Sequence, residues 1–215
     1  MLIDLKLAGK TVLIFGGGNV GERKARKFLE TKSKVTVVSK GFTDGLEQLN
    51  QQGKINVIDV DISAESSSFI GSLISKSDVV IVATNDPKLN EEISVEARKR
   101  KILVCVVDTP LISDFYLPAT THFGKIRIAI STGGRSPAMA RILRKKLEEV
   151  ITGEEILQVE LQHYARKLAK TLILDKDTRR SFLYKIIHNS DIKHLLKEGN
   201  VEEAKALAKQ ILEQY

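Results

Sequence analysis

Thr11-Val12-Leu13-Ile14-Phe15-Gly16-Gly17-Gly18-Asn19-Val20-Gly21 is an uncharged apolar run that breaks into glycines and then into a segment of helical period. The first five residues, mostly β-branched or aromatic, read as a buried strand. The glycines that follow satisfy G-x-G-x-x-G between a strand and a helix, the context in which that pattern carries a mechanism. Gly16 permits the tight turn, Gly18 lets backbone N–H groups approach a pyrophosphate, and Gly21 lets the helix pack on the strand. Asn19 and Val20 open the helix, whose N-terminus favours an anion, and they line the phosphates of a bound dinucleotide. The plainer alternative is a glycine turn closing an ordinary βα unit; its place after the first strand favours dinucleotide binding.

Working outward, four more short apolar runs read as strands, at 34–38, 55–59, 79–83 and 103–107. Segments of helical period at 21–31, 42–52, 66–75 and 88–100 separate them. Near-continuous apolar strands alternating with helices predict an α/β fold, a Rossmann-like parallel sheet covered on both faces. We assign this dinucleotide-binding domain to residues 1–111.

The pattern changes after Asp108. Pro110 and Pro118 bracket a short segment, and residues 125–131 alternate as Lys-Ile-Arg-Ile-Ala-Ile-Ser, which predicts an antiparallel, half-exposed strand. A Gly133-Gly134 turn leads to Ser136-Pro137, an N-cap followed by proline at the first helical position, so a helix is expected over 137–150. Residues 112–150 form a small α+β region on this reading, and 151–215 a helical C-terminal domain.

The chain has 215 residues, a formal net charge of +7, 42% hydrophobic, 28% charged and 5% aromatic residues. No apolar run approaches the roughly 20 residues of a membrane helix. Residues 1–6 lack the zones of a signal peptide, so the expected compartment is the cytoplasm. The single cysteine, Cys105, sits in an apolar strand as an inert thiol, and the four histidines show no metal-ligand spacing. Excess positive charge favours an anionic partner. Nucleic acid is disfavoured, because the basic stretch carries no interleaved aromatics and no nucleic-acid module is recognisable.

That basic stretch is residues 125–146, where Lys125, Arg127, Arg135, Arg141, Arg144, Lys145 and Lys146 occur without one Asp or Glu. Arg141, Arg144 and Lys145 stand three and four residues apart on one helix face. A solvated face and an anion site are both compatible with that spacing. Elsewhere, the second strand ends Ser39-Lys40 where an Asp or Glu usually accepts from the adenosine ribose. Ser39 suits a ribose hydroxyl and Lys40 a 2′-phosphate, leaving NAD and NADP both open. Thr84, after the fourth strand, is either a cofactor neighbour or a turn former. Asp108, after the fifth, is either an acid at the nicotinamide end or a member of an Asp-Thr-Pro turn.

The segments GKTVLIFGGGNVGERKARKFLE, VIVATND, VCVVDTPLISDFYLPA and IAISTGGRSPAMARILRKKLE resemble the sirohaem synthase N-terminal family, in unbroken order over residues 5–150. That family comprises precorrin-2 dehydrogenases, some of which are also sirohydrochlorin ferrochelatases. The resemblance implies NAD as oxidant, a homodimer formed through the region after the Rossmann unit, and Asp108 as the key acid. Cys105 stands where the family's motif usually has Asn. The implied substrate is a tetrapyrrole rimmed with carboxylates, which suits the cationic stretch. Ser131, Thr132, Arg135, Ser136, Arg141 and Arg144 are then the candidate substrate contacts. Fe²⁺ would be a co-substrate were the chain also a chelatase, a point the residues leave open, and no resident metal is expected. Two other readings share the glycine loop: a dinucleotide-sensing module without catalysis, and a Rossmann dehydrogenase for a smaller acid. The first does not explain the Ser131–Arg144 motif or the cationic stretch, and substrate screening with NAD distinguishes the second.

Overall fold

A computed structural model of the chain describes residues 2–107 and 109–214. By its contacts the chain divides into two compact units, one ending at Leu117 and the other beginning at Pro118.

In the first unit β1 (Thr11–Phe15), β2 (Lys34–Ser39), β3 (Asn56–Asp59), β4 (Val79–Val82) and β5 (Leu103–Val106) form one parallel sheet in the order β3-β2-β1-β4-β5. The connections are α1 (Asn19–Leu29), α2 (Asp44–Gln51), α3 (Ser67–Ile74) and α4 (Pro87–Lys99). Successive strand residues point to opposite faces, so β1 serves two cores. Val12 and Ile14 pack with Ala25 and Phe28 of α1 and Leu46 and Leu49 of α2. Leu13 and Phe15 pack with Ile70 and Ile74 of α3 and Leu89 and Ile93 of α4. Both faces are covered, as the unbroken apolar strands require. The strand order reverses between β1 and β4, and open α/β sheets bind ligands at the carboxyl ends of the strands flanking such a switch point.

β5 is an edge strand, and its free side is closed by side chains. Asp114 Oδ2 accepts from Val104 N–H (3.0 Å), and Asp114 N–H donates to Val104 O (2.8 Å). Ser113 Oγ accepts from Val106 N–H (2.9 Å) and lies within hydrogen-bond reach of Val106 O (3.1 Å) and Thr109 O (3.0 Å). Arg98 of α4 holds the Asp114 carboxylate at 2.9 Å. The segment after β5 is thus pinned along the strand it leaves.

In the second unit β6 (Ala119–Phe123) pairs antiparallel with β7 (Ile126–Ile130), Thr121 opposite Ile128. β7 is the expected alternating strand. β6 has no counterpart in the sequence reading, because Ala-Thr-Thr-His-Phe lacks an apolar alternation. α5 (Pro137–Val150) packs on this hairpin, and Thr121, buried on β6, donates to Glu148 Oε1 of α5 at 2.7 Å.

The helical tail is four helices: α6 (Gly153–Leu172), α7 (Lys176–His188), α8 (Ser190–Lys197) and α9 (Val201–Leu212). Caps set the breaks. Thr152 and Glu155 form a capping box on α6, Asp175 caps α7 through Thr178 N–H, and Asn189 caps α8 through Ile192 N–H. Leu161, Ala165, Phe182, Ile186, Ile192, Leu196, Ala204 and Ala208 form their common core. Among the described residues no helix is long and apolar enough to cross a membrane.

Candidate active site

The four glycines of the loop meet different surroundings. A Cβ on Gly16, whose φ is +115°, would stand 2.4 Å from Ala83 O, and one on Gly21 would stand 1.9 Å from Gly16 O. Those two positions are closed by the residue that follows β4 and by the turn itself. Gly17, which the spacing of the motif leaves unassigned, is equally constrained: its Cβ would stand 2.1 Å from Gly41 O, because the β2–α2 loop crosses over it. Gly18 differs from the rest, since a Cβ there would meet nothing within 4 Å. It is exposed, as is Asn19, while Val20 is half-buried.

Gly18 is also the N-cap of α1 and offers no side-chain cap. By contrast α2, α3 and α4 are capped by Thr43, Ser66 and Asp86, which accept from first-turn N–H groups. An α-helix leaves its first N–H groups without intrahelical partners, and an anion is their natural complement. Of the four helices that connect the parallel strands, the uncapped one is at the switch point, behind a loop open at Gly18, and that arrangement fits the pyrophosphate of a dinucleotide.

Thr43 and Glu22 brace this loop and were not singled out from the sequence. Thr43 N–H donates to Gly17 O (3.0 Å), and its hydroxyl donates to Glu22 Oε2 (2.6 Å). Arg26 holds the other carboxylate oxygen at 2.7–2.8 Å. The hydrogen bond from Thr43, seconded by Arg26, holds the Glu22 carboxyl below the usual carboxylate range.

Ser39 ends β2 beside the loop, half-buried, and Gly16 N–H donates to the neighbouring Val38 O (2.9 Å). Lys40 is exposed, with its ammonium 3.1 Å from Asp61. The Thr84 hydroxyl lies 2.5 Å from Asn90 Oδ1 and accepts from Asp86 N–H at 3.2 Å. Asn90 is buried and returns a bond to Thr84 O (3.2 Å), so the turn role of Thr84 is built in. Asp108 lies outside the described residues. Cys105 is buried in β5, where burial pushes its thiol pKa up and keeps it protonated.

In the second unit Gly133 and Gly134 both take positive φ, 63° and 80°, in the turn between β7 and α5. Three hydroxyls surround that turn. Ser131 accepts from Gly133 N–H (3.2 Å), Thr132 from Ser136 N–H (3.0 Å), and Ser136 from Met139 N–H (3.2 Å) as the N-cap of α5. Each oxygen serves as an acceptor from the backbone, and each hydroxyl keeps an O–H that can donate. Arg135 and Arg141 are exposed. Arg144 is only half-exposed: its Nε is buried 3.7 Å from Glu148, the residue that also receives Thr121. Arg144 thus leans toward β6, whereas Arg141 and Lys145 face solvent. No group of three His, Cys, Asp or Glu among the described residues is arranged to hold a metal ion.

The chain matches known families in the same order as these features. Residues 3–119 match the family described as "Putative NAD(P)-binding", and residues 124–149 match the central part of sirohaem biosynthesis proteins. The precorrin-2 dehydrogenase of Methanosarcina barkeri is 34% identical over 188 residues, covering 87% of this chain and 83% of that protein. The siroheme synthase of Buchnera aphidicola is 33% identical over 204 residues, 95% of this chain but 41% of that longer protein. The solved structure of SirC, precorrin-2 dehydrogenase, shares the fold over 98% of this chain and 99% of its own, with a TM-score of 0.76 at 20% identity. With a relative this similar across most of both lengths, the chain belongs to the precorrin-2 dehydrogenase family.

Proposed function

We propose that this chain oxidises precorrin-2 to sirohydrochlorin with NAD as hydride acceptor. The observation that carries the reading is the loop open only at Gly18 before an uncapped α1, in a chain 34% identical to a precorrin-2 dehydrogenase. When bound, the nicotinamide supplies the hydride acceptor. The first-turn backbone N–H groups at Asn19, Val20 and Gly21 hold the pyrophosphate, with Gly16 and Gly21 keeping turn and helix close enough to do so. Ser39 and Lys40 border the adenosine end, and Thr84 borders the switch point.

Loss of a hydride leaves a proton to be removed from the macrocycle, and Asp108 is the base we assign to that task. Carboxylates on the substrate rim are met by the O–H groups of Ser131, Thr132 and Ser136 and by Arg135 and Arg141, with Arg144 behind them. Hydrogen bonds to charged groups are the stronger kind, so several such contacts orient a large polyanion. The test is to add precorrin-2 and NAD to the purified protein. We expect NADH and the sirohydrochlorin spectrum to appear together; no NAD reduction would overturn the reading.

We further infer that the protein works as a homodimer through the β6–β7–α5 segment. Residues 119–150 bury only Thr121 and Ala140 among the described residues, while Ile126, Ile128 and Ile130 are half-buried and Met139, Ile142 and Val150 exposed. A segment with these apolar side chains and so little core of its own is suited to meet a second copy. Light scattering is expected to give twice the chain mass, and Ile142→Asp to give the monomer; a monomeric wild type refutes it.

A further inference from the structure

An NAD-selective Rossmann site ordinarily carries an acid at the end of its second strand. Here β2 ends in Ser39, yet an acid reaches the same place from the neighbouring strand. β3 runs parallel to β2 with Asp59 opposite Ser39, and the chain leaving β3 brings Asp61 to Lys40. Lys40 Nζ is 3.1 Å from Asp61 Oδ2. Asp61 Oδ1 accepts from Ser63 N–H (3.1 Å) and Ser63 Oγ (2.6 Å), so the carboxylate is oriented by its own turn. The Ser63 hydroxyl first, then Lys40, holds its pKa below the usual carboxylate range, and it is charged at neutral pH.

This pair lies beside the glycine loop. Gly16 N–H donates to Val38 O, Thr43 N–H donates to Gly17 O, and Gly41 O fills the space that a Gly17 side chain would need. A dinucleotide with its pyrophosphate on the α1 N-terminus directs its adenosine ribose to the end of β2, where Lys40 and Asp61 stand.

We propose that the Lys40–Asp61 ion pair sets the choice between the two nicotinamide dinucleotides, admitting NAD and rejecting NADP. The proposal rests on the reading of the glycine loop as a dinucleotide site. A 2′-phosphate binds where a cation is uncompensated, and Asp61 compensates Lys40. The same carboxylate repels a phosphate dianion but accepts a hydrogen bond from a 2′-hydroxyl. An exposed ion pair of this kind contributes little to folding, so its charge is separable from the fold.

The test is direct titration of NAD and of NADP into the full chain, read by calorimetry without substrate. Asp61→Asn is the informative variant, because its amide oxygen still accepts from Ser63 while the negative charge and the acceptor beside Lys40 are lost. We expect the ratio of the NADP to the NAD dissociation constant to fall about tenfold, as removal of a unit charge a few ångströms away implies. The double variant Lys40→Ala/Asp61→Asn should lose that gain. An unchanged ratio in Asp61→Asn, with its melting temperature at the wild-type value, would overturn the proposal, as would a gain that survives in the double variant. A wild-type chain that binds neither dinucleotide would instead remove the site itself, and this proposal with it.

Discussion

The two units offer ligands different materials. In the first, the groups at the glycine loop are backbone amides, and side chains such as Thr43, Glu22 and Asn90 hold the backbone in place. In the second, the backbone supplies only a turn, and hydroxyls and guanidinium ions stand around it. On the proposed function the difference follows from the ligands. A pyrophosphate is small and fixed in shape, so amides at a helix terminus fit it once and for all. A macrocycle edged with flexible carboxylates needs longer donors that reach and adapt. Damage to the first unit should therefore come from adding atoms, and damage to the second from removing them.

Asp108 would break that contrast most strongly, as a side chain contributed from the end of the nucleotide-binding fold. Asp108→Ala is expected to lower the rate of NAD reduction by about 10²–10⁴-fold, the usual worth of a general base. NAD affinity and melting temperature should stay at wild-type values; a variant of full activity would end its assignment as base.

Within the glycine loop two substitutions sharpen the contrast: Gly18→Val should weaken NAD binding on the order of a hundredfold, through lost hydrogen bonds to the charged pyrophosphate. Its melting temperature should stay near the wild-type value, because a Cβ at this position meets nothing within 4 Å. Gly21→Ala should do the reverse, lowering stability by about 3 kcal/mol as its methyl collides with Gly16 O. Equal loss of stability in both variants would show that Gly18 is a packing residue like its neighbours.

Arg141→Ala should raise KM for precorrin-2 about tenfold, the loss of one charge-assisted contact, with NAD affinity unchanged. Arg144→Ala should lower the melting temperature more than it raises KM, since its Nε is buried against Glu148. If the two variants behave alike, the division of labour along α5 is wrong.

The smallest effect is at Glu22. Its carboxyl pKa is depressed by Thr43 and Arg26, so the stability it adds is present above the usual carboxylate range and is lost as pH falls through the lowered value. Glu22→Gln should melt slightly below wild type at neutral pH, by less than about 1 kcal/mol for a pair whose arginine is half exposed. The two melting curves should converge in acid.

The parallel sheet was legible because burial on both faces leaves an unbroken apolar signature, and α5 because Ser136-Pro137 is an N-cap with proline at N1. β6 was not, since its pairing with β7 rather than its own composition makes it a strand. The motif likewise gives Gly17 no role, and only the crossing of the β2–α2 loop shows that this position is closed while Gly18 is open. Asn90, six residues from Thr84, and Asp61, twenty-one from Lys40, had no periodicity or motif to mark them, because both act through contacts that the fold creates. Arg144 shares helical spacing with Arg141, but the neighbour that draws it inward, Glu148, lies just past the stretch whose lack of acids drew notice.

Ser113 and Asp114 occupy the hydrogen-bonding positions that a sixth strand would take beside β5. Such an edge cannot recruit a strand from another molecule, so the one open margin next to the proposed catalytic loop is sealed against polymerisation. The same two residues act as a tether, because they fix where the chain after β5 comes back to the sheet. Adding residues between β5 and Ser113 should be tolerated by the sheet and felt by the chemistry.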